Sequence, residues 1–326
     1  NSQDTLKYVL KPLQRGEYEF GNINLYVTSP LNFVVRRYTI LQPQLVKVYP
    51  SFITMRQYQL MPVIHKLQDT GMLRMRKLGH SIEFEQIKEY VRGDDYRTIN
   101  WKATARHNDL MVNNYTDERS QQIYCIINKG RLMKMPFEGM TLLDYAINAS
   151  LVLANVALEK HDKAGLITYA ENIDTFLLAD KKQGQLNRIL ELLYRQQTNF
   201  LEPDLEKLFF IIRHRITQRS LLVLFTNYES IESLQHDLPP LKLLAKYHLL
   251  VVVLFENTEL KVLIEREVTT TEDIYIKTIA KKFQHEKRTM VKELHQNGII
   301  ALLSTPQTLT IKTLNKYLEL KNRQAI

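Results

Sequence analysis

The feature that most constrains the fold is a regular alternation of apolar runs and helical patterns that begins near residue 121. The runs IYCII, AGLITY, SLLVLF, HLLVVVLF and GIIALL are apolar throughout and are separated by segments with helical periodicity. Strands that are apolar on both faces and connected by helices form a mostly parallel sheet covered on both sides. The sequence therefore predicts a doubly wound α/β domain over residues 121–326, with DTFLL (174–178) as an antiparallel edge strand.

The first fifty residues have a different pattern. Short β-like runs, among them EYEF, INLYV and LVKVYP, are separated by turn signals such as Arg15-Gly16 and Ser29-Pro30. We expect a small β-sandwich-like domain over residues 1–50 and a connecting segment over residues 51–120, which holds the only tryptophan. Together with the α/β domain, these segments account for the 326 residues of the chain.

Composition and motifs narrow the classes of function. The formal net charge is +9, but basic and acidic residues alternate along most of the chain, which disfavours nucleic-acid binding. The single cysteine, Cys125, lies in an apolar strand pattern and is expected to be buried. The most apolar long stretch, LLDYAINASLVLANVAL, carries polar residues and predicts a buried helix rather than a membrane span. The chain has no HExxH, P-loop, GxSxG or Gly-rich dinucleotide motif, so we predict no enzyme and no cofactor.

The first apolar strand stops at Asn128-Lys129-Gly130, and a helix follows from Thr141, where Thr141 and Asp144 predict a capping box. This order of strand, loop, long helix, strand hairpin and alternating units resembles the von Willebrand factor A fold. In that family the loop reads Asp-x-Ser-x-Ser, and a Thr and a second Asp complete a Mg²⁺ or Mn²⁺ site with an open position for a ligand carboxylate. The matching positions in this chain are Asn128, Gly130, Leu132, Thr198 and Asn227.

Substitutions at these positions predict a site that has lost its metal. Both carboxylates of the family pattern are replaced, by Asn128 and Asn227, both hydroxyls are lost, and Lys129 and Arg131 add positive charge. Hard divalent cations need oxygen ligands, so we predict a degenerate metal-ion-dependent adhesion site that binds no metal and is a candidate interaction face. Lys129 and Arg131 are expected either to be solvated charges on a turn or to attract an acidic side chain or phosphate.

A second resemblance is carried by residues 83–106, EFEQIKEYVRGDDYRTINWKATAR. They resemble the signature EFxxLREYxxGDxxRxIDWxxxAR of a bacterial family of von Willebrand A-like proteins catalogued as domain of unknown function fifty-eight. The upstream residues PLQRGEYEFGNINLYVTSPLNFVVRR also resemble the β-rich segment of that family. The signature residues that we single out are Glu83, Phe84, Glu89, Tyr90, Gly93, Asp94, Arg97, Trp101 and Arg106.

For this signature we favour a structural role over an acid–base pair or a metal site built from Asp94 and Asp95. Gly93 suits a turn, and an Asp is expected to cap the helix that follows. Asp94 and Arg97 are predicted to form an ion pair that ties the segment to the α/β domain. Three aromatic residues are predicted to lie in the core: Phe84, Tyr90 and Trp101.

The family resemblance implies a non-enzymatic protein-interaction module of a membrane-anchored protein. Its soluble part is expected at the cytoplasmic face of the inner membrane, where it works with a MoxR-type AAA+ ATPase in complex assembly or envelope stress. The chain opens without methionine in a strand pattern, so we expect the membrane-spanning segments upstream of residue 1. The alternative is a metal-dependent ligand binder or hydrolase with an unrecognised site.

Overall fold

The computed structural model describes residues 9–12, 15–28, 33–50, 83–91, 94–107, 109–116, 120–137, 139–198, 201–265, 270–323 and 325. The chain divides into two compact units, one formed by Asn1–Tyr58 with Gln122–Ile326 and the other by Gln59–Gln121. The N-terminal strands therefore group with the α/β unit, whereas we had expected a separate domain over residues 1–50. Of the predicted connecting segment, residues 51–82 lie outside the described part of the chain.

The N-terminal segment forms antiparallel strand pairs. Its strands are β1 (Gly16–Phe20), β2 (Ile23–Thr28), β3 (Val35–Ile40) and β4 (Gln44–Val48). Strand β1 pairs with β4, and β2 pairs with β3. The β-rich character predicted for this segment is confirmed.

The second unit contains the signature. Its elements are β5 (Glu83–Glu89), a 3₁₀ turn (Tyr96–Thr98), α1 (Trp101–His107) and β6 (Met111–Thr116). Strands β5 and β6 pair antiparallel, and the turn and the helix form the connection between them.

The α/β unit follows the predicted alternation. Its first half consists of β7 (Gln122–Asn128), β8 (Pro136–Phe137), β9 (Met140–Thr141), α2 (Leu142–Glu159), β10 (Lys163–Tyr169), β11 (Ile173–Asp180), α3 (Gln185–Leu193) and α4 (Leu205–Arg215). Its second half consists of β12 (Leu221–Phe225), α5 (Ile231–Tyr247), β13 (Leu249–Phe255), α6 (Glu259–Glu265), α7 (Thr271–Gln296), β14 (Ile300–Ser304) and α8 (Leu309–Asn322).

Six of these strands form one sheet in the order β11-β10-β7-β12-β13-β14. All neighbours are parallel except β10 and β11, so the predicted edge hairpin is confirmed. After β7 the chain adds β10 and β11 on one side of that strand. It then crosses to the other side of β7 and adds β12, β13 and β14. The predicted von Willebrand factor A-like fold is therefore confirmed, and its two central strands, β7 and β12, meet at the topological switch point.

Alternate residues of each central strand enter opposite apolar layers. On β7, Cys125 and Ile127 pack among α2 and α8, whereas Tyr124 and Ile126 pack among α4, α5 and α7. A fully buried aliphatic side chain such as Ile126 contributes roughly 1.5–3 kcal/mol to folding. Burial also raises the pKa of the Cys125 thiol to about 12, as expected for an inert core cysteine.

Helix α2 is the long apolar helix predicted to be buried. By length and composition it could cross a membrane, with a mean hydropathy of 1.3, but 61% of it is buried in the protein. It begins with the predicted capping box, in which Thr141 and Asp144 each bond the other residue's backbone N–H. The buried face of α2 packs against the sheet, and the start of the helix lies at the carboxyl edge of the sheet.

Candidate functional site

Asn128 ends β7 at the switch point, and only 3% of its surface is exposed. The Gly130 backbone N–H donates to Asn128 Oδ1 at 2.7 Å, and Asn128 Nδ2 donates to the Thr226 hydroxyl at 2.9 Å. The side chain therefore links the ends of β7 and β12. Because both polar atoms of the amide have partners within the chain, a ligand would have to displace existing hydrogen bonds.

The two cations of the loop have different partners. Lys129 is buried, its ammonium pairs with Asp174 on β11, and its backbone N–H donates to Tyr169 O at 2.8 Å. Arg131 lies 3.5 Å from Glu229, but both side chains are more than half exposed, and such solvated pairs contribute little. Of the expected alternatives, Lys129 attracts an acidic side chain of its own chain, whereas Arg131 is a solvated charge.

Gly130 is covered by a later loop. A Cβ atom at this position would lie 2.9 Å from Pro203 Cδ and 3.3 Å from the Leu201 carbonyl oxygen. The neighbouring Leu132 is half buried in the 3₁₀ turn Arg131–Lys134. The serine that the family pattern has at position 130 therefore has no room here unless the covering loop moves.

Lys287 of α7 supplies a partly buried cation to the same edge. Its ammonium donates to Asn227 Oδ1 at 2.5 Å and also to the Tyr228 carbonyl oxygen. Burial lowers the pKa of Lys287 to about 8, and the nearby Glu229 carboxylate opposes this shift. Asn227 stands at the position of the second Asp in the family pattern, and its amide oxygen accepts from the Lys287 ammonium.

A group of buried hydroxyls lies beside these residues. Tyr169 and Tyr228 are almost fully buried, and their hydroxyls lie near Thr226 and the Asp237 carboxylate. Burial, reinforced by the Asp237 carboxylate, raises the pKa of both phenols. Burial likewise raises the pKa of Asp237, while His236, 3.1 Å away, opposes that shift. The side chains of Tyr169 and Tyr228 lie on the α4, α5 and α7 side of the sheet.

The residues at the switch point do not fit a divalent metal. The edge offers amide oxygens that already accept from an N–H and from an ammonium, and the ammonium groups of Lys129 and Lys287 lie close by. In the described ranges, no group of three or more His, Cys, Asp or Glu side chains is placed to hold a metal ion. A hard cation there would find no carboxylate at the two family positions and would face positive charge.

A cavity of about 950 Å³ opens near the start of α2. One wall comes from the N-terminal segment, one from the first turns of α2 and one from the loop after α3. The lining includes Arg15, Glu17, Tyr49, Lys134, Thr141, Asp144, Asn148, Tyr194, Arg195, Gln196 and Thr198. Its volume is in the range of ligand-binding clefts.

Arg15 holds two walls of this cavity together. Its Nε donates to Asp144 Oδ1 at 2.7 Å, and its Nη1 donates to three carbonyl oxygens of the loop after α3. The shortest of these is 2.5 Å, to Gln196. Burial lowers the pKa of Arg15, and the Asp144 carboxylate opposes that shift. One side chain therefore fixes both the start of α2 and the loop that leads to Thr198.

A second contact joins β1 to the same loop. The Tyr194 hydroxyl donates to Glu17 at 2.7 Å, and Arg195 lies 3.2 Å from the same carboxylate. The Tyr194 hydrogen bond is the main cause of the lowered pKa of Glu17. Tyr49, just after β4, packs on the Tyr194 ring with centroids 5.2 Å apart. The N-terminal strands are thus part of the cavity wall.

Two polar side chains keep open hydrogen-bonding capacity toward the cavity. Asn148, one turn after Asp144 on α2, and Thr198 both line it, and neither side chain has a hydrogen-bond partner in the described part of the chain. Thr198, which we grouped with Asn128 and Asn227, makes no hydrogen bond to either. The structure therefore places the Thr198 position at the cavity.

The signature of residues 83–106 has a different ion pair from the predicted one. Asp94 accepts from Lys88 Nζ at 2.7 Å and from the Val91 backbone N–H at 3.0 Å, and the Lys88 bond is the main cause of its lowered pKa. The predicted Asp94 to Arg97 pair is wrong, because Asp94 faces back toward β5 while the Arg97 guanidinium lies 5.7 Å from the Tyr96 ring. Gly93 and the side chains of Glu83 and Phe84 lie outside the described part.

The capping prediction for the signature is confirmed, and the core prediction fails at Trp101. Asp95 accepts from the Arg97 backbone N–H and caps the 3₁₀ turn, and Asn100 accepts from the Ala103 N–H at 3.0 Å at the start of α1. Trp101 is 71% exposed, because the side of α1 that packs inward is that of Ala103. Tyr90 is half buried, and Glu89 and Arg106 are exposed.

Sequence reasoning missed the two residues that organise these regions. Arg15 was interpreted only as part of a turn, and its partner Asp144 lies 129 positions away. Lys287 gave a weak signal, because it precedes Met290 and Leu294 at helical spacing and thus lies on the apolar side of α7. A lysine on the apolar side of an amphipathic helix is the sequence pattern that indicates a cation such as Lys287.

Comparison with known proteins gives a family and an uncharacterised relative. The model of the family described as "Protein of unknown function DUF58" matches residues 86–292. "Uncharacterized protein YeaD" of Bacillus subtilis (strain 168) is 24% identical over 166 residues, which is 48% of this chain and 40% of that protein. The chain thus spans less than half the length of this relative.

The solved structures that resemble this chain share little sequence identity with it. A "von Willebrand factor type A from Catenulispora acidiphila" has 10% identity and a TM-score of 0.36, over 62% of this chain and 42% of that one. Proximal thread matrix protein 1 from the mussel byssus has 9% identity and a TM-score of 0.35, over 62% and 46%. The fold assignment rests on the strand order described above.

Proposed function

Because this chain belongs to the DUF58 family of proteins of unknown function, we propose that it is a non-enzymatic module that binds a protein partner. The family and the von Willebrand factor A-like fold support a protein-interaction module in general terms. In the finer form of the proposal, the module belongs to a membrane-anchored protein and faces the cytoplasm at the inner membrane. There it works with a MoxR-type AAA+ ATPase in complex assembly or envelope stress.

The observation that carries the proposal is how the polar groups of the carboxyl edge are bonded. Asn128 is bonded to Thr226 and Gly130, and Asn227 is bonded to Lys287. This edge has no carboxylate at the two family positions, and the nearby Asp174 carboxylate is paired with Lys129. The degenerate metal-ion-dependent adhesion site is therefore proposed to act as a rigid support for a nearby binding surface.

We place the partner's contact at the cavity near the start of α2. Asn148 offers both a donor and acceptors, as a peptide group in a bound segment requires. Lys134 and Arg195 are exposed at the rim and favour a segment that carries acidic side chains. The ring of Tyr49, which is 40% exposed and packs on the buried Tyr194 ring, supplies apolar contact area.

The test measures binding of the whole chain to the MoxR-type ATPase of the same organism. Asn148→Arg fills the cavity and should weaken binding at least tenfold, equivalent to about 1.4 kcal/mol. Asn155→Arg is the matched control, because Asn155 is on the same helix but bonds only Glu159 at the surface. Asn155→Arg should bind like the unaltered chain.

Two outcomes would contradict different parts of the proposal. If the unaltered chain does not bind the ATPase, the partnership is wrong. If both variants bind like the unaltered chain, the cavity is not the contact site. Fractionation of the native gene product tests the anchoring separately, and recovery of the full-length protein entirely in the soluble fraction would overturn it.

A further inference from the structure

The N-terminal half of α7 exposes an apolar surface that the fold does not cover. The helix has 26 residues, and its buried residues are Ala280, Met290 and Leu294, so none of the first nine residues is buried. Five large apolar side chains in this half are exposed: Ile274 (54%), Tyr275 (70%), Ile276 (43%), Ile279 (51%) and Phe283 (45%). Scattered single apolar residues are ordinary on a surface, but a group of five on one helix marks an interaction site.

Tyr275, Ile279 and Phe283 follow one another at four-residue spacing and therefore form a stripe along one side of the helix. Ile276 lies beside this stripe. At 1.5 Å per residue, the stripe is about 12 Å long. It is a short, straight and regular surface, which suits pairing with another helix.

The charges at the two ends of the stripe have opposite signs. Glu272 lies one turn before Tyr275, and Lys282 lies next to Phe283. Lys282 is 75% exposed, and its ion pair with Glu286 is long, at 3.8 Å. A surface with an acid at one end, a base at the other and apolar residues between them is complementary to itself when two copies run antiparallel.

We propose that this half of α7 is the contact surface between two copies of the chain. Around a two-fold axis near position 277, Glu272 faces Lys282 of the partner subunit, and Tyr275 faces Ile279 of the partner subunit. A shift of the axis to position 279 would instead oppose Glu272 to Glu286 of the partner subunit, and like charges disfavour that register. The charges thus select one antiparallel arrangement.

The charges of this half of the helix do not single out a lipid surface as the occupant. Glu272 and Asp273 at the start of the helix offset the attraction of Lys277, Lys281 and Lys282 for anionic head groups. The stripe on α7 is short, and its area is small beside the roughly 800 Å² that each partner buries in a stable interface. The dimer is therefore expected to be weak and concentration-dependent, and it does not depend on the ATPase partner.

Sedimentation velocity of the full 326-residue chain over a concentration series tests the proposal. The chain should dimerise, and Ile279→Glu should weaken self-association at least tenfold. Phe210→Glu is the matched control, because Phe210 is 66% exposed on α4, and this variant should dimerise like the unaltered chain. All of these positions are exposed, so circular dichroism should show unchanged folding.

A charge exchange tests the register. Glu272→Lys and Lys282→Glu should each weaken the dimer, and the double variant should restore it. A chain that stays monomeric up to about 1 mM would overturn the proposal. A dimer that Ile279→Glu leaves intact, or that the double variant fails to restore, would do the same. Binding to phosphatidylglycerol vesicles without self-association would assign the surface to lipid instead and would also overturn the proposal.

Discussion

The carboxyl edge at Asn128 and the cavity near Asn148 lie at the two ends of one connection, from β7 into α2, and they differ in how their polar groups are bonded. At the edge, amides, hydroxyls and lysines are bonded within the chain. At the cavity, Asn148 and Thr198 line open space without hydrogen-bond partners in the described ranges. The polar groups of the edge are thus used within the fold, whereas the cavity has polar groups that are not.

The two regions also differ in where their parts come from. The edge is built from strand ends of the sheet and from Lys287 of α7. The cavity needs the N-terminal segment, because Arg15 connects Asp144 of α2 to the loop after α3. Loss of a single residue should therefore affect the two regions differently, and this can be measured.

The largest expected effect is at the cavity. Arg15→Met leaves Asp144 and three carbonyl oxygens without their partner, and breaking such a pair should lower the free energy of unfolding by about 3 kcal/mol. Urea denaturation measures this change. Arg195→Met is the control, because the Arg195 side chain is 63% exposed, and its loss should be much smaller. Equal effects of the two variants would show that Arg15 does not hold the cavity walls together.

The next largest effect is expected at the carboxyl edge, when Gly130 is replaced by the serine of the family pattern. Gly130→Ser forces a side chain against Pro203 and Leu201, and overpacking of this kind should cost about 2–3 kcal/mol of unfolding free energy. Gly21→Ser is the control, since a Cβ atom there meets nothing within 4 Å. A Gly130→Ser variant as stable as the unaltered chain would mean that the edge is open rather than covered.

Lys287 predicts a dependence of stability on pH. Its folded-state pKa of about 8 lies below the ordinary value of 10.5, so the unfolded chain binds more protons between these values. Stability should therefore rise as the pH increases from 8 to 10.5, with a contribution from Lys287 on the order of 2 kcal/mol.

Lys287→Met should remove that contribution, whereas Lys292→Met, on the exposed side of α7, should keep it. Urea denaturation at pH 7.5 and pH 10 compares the three proteins. If the stability of Lys287→Met rises with pH as much as that of the unaltered chain, Lys287 does not have a lowered pKa in the folded protein.

The smallest effect lies outside both regions. Asp94→Ala removes the hydrogen bonds from Lys88 and Val91 and should lower the stability of the signature unit by about 1 kcal/mol. Thermal melts of Asp94→Ala, Lys88→Met and the double variant measure the coupling. Additive losses would mean that the pair contributes nothing, and reduced partner binding with unchanged melting would assign the signature a functional surface.

The sequence predicted most of the fold because its signals are local. The apolar runs predicted where the sheet strands lie along the chain, and Thr141 with Asp144 predicted the start of α2. Helix α6 (Glu259–Glu265) was missed, because seven residues give too short a periodic pattern. The order of the strands across the sheet was not predicted, because it depends on contacts between distant parts of the chain.

The site was predicted only in part, because its bonds are not local. The absence of carboxylates at positions 128 and 227 is visible in the sequence, but the partners of Asn128 and Asn227 are not. Arg15 lies 129 positions from Asp144, and Lys287 lies 60 positions from Asn227. The predicted Asp94 to Arg97 pair was wrong because Asp94 is bonded to Lys88 and Val91, which precede it in the chain.

Calorimetric titration of the chain with Mn²⁺ tests most directly whether intramolecular bonds have replaced a metal at the carboxyl edge. We predict no saturable heat of binding up to about 1 mM, since amides stand at both carboxylate positions of the family pattern and the ammonium groups of Lys129 and Lys287 lie at the same edge. The double variant Asn128→Ala with Asn227→Ala should give the same flat titration. One-to-one Mn²⁺ binding that this double variant abolishes would contradict the account.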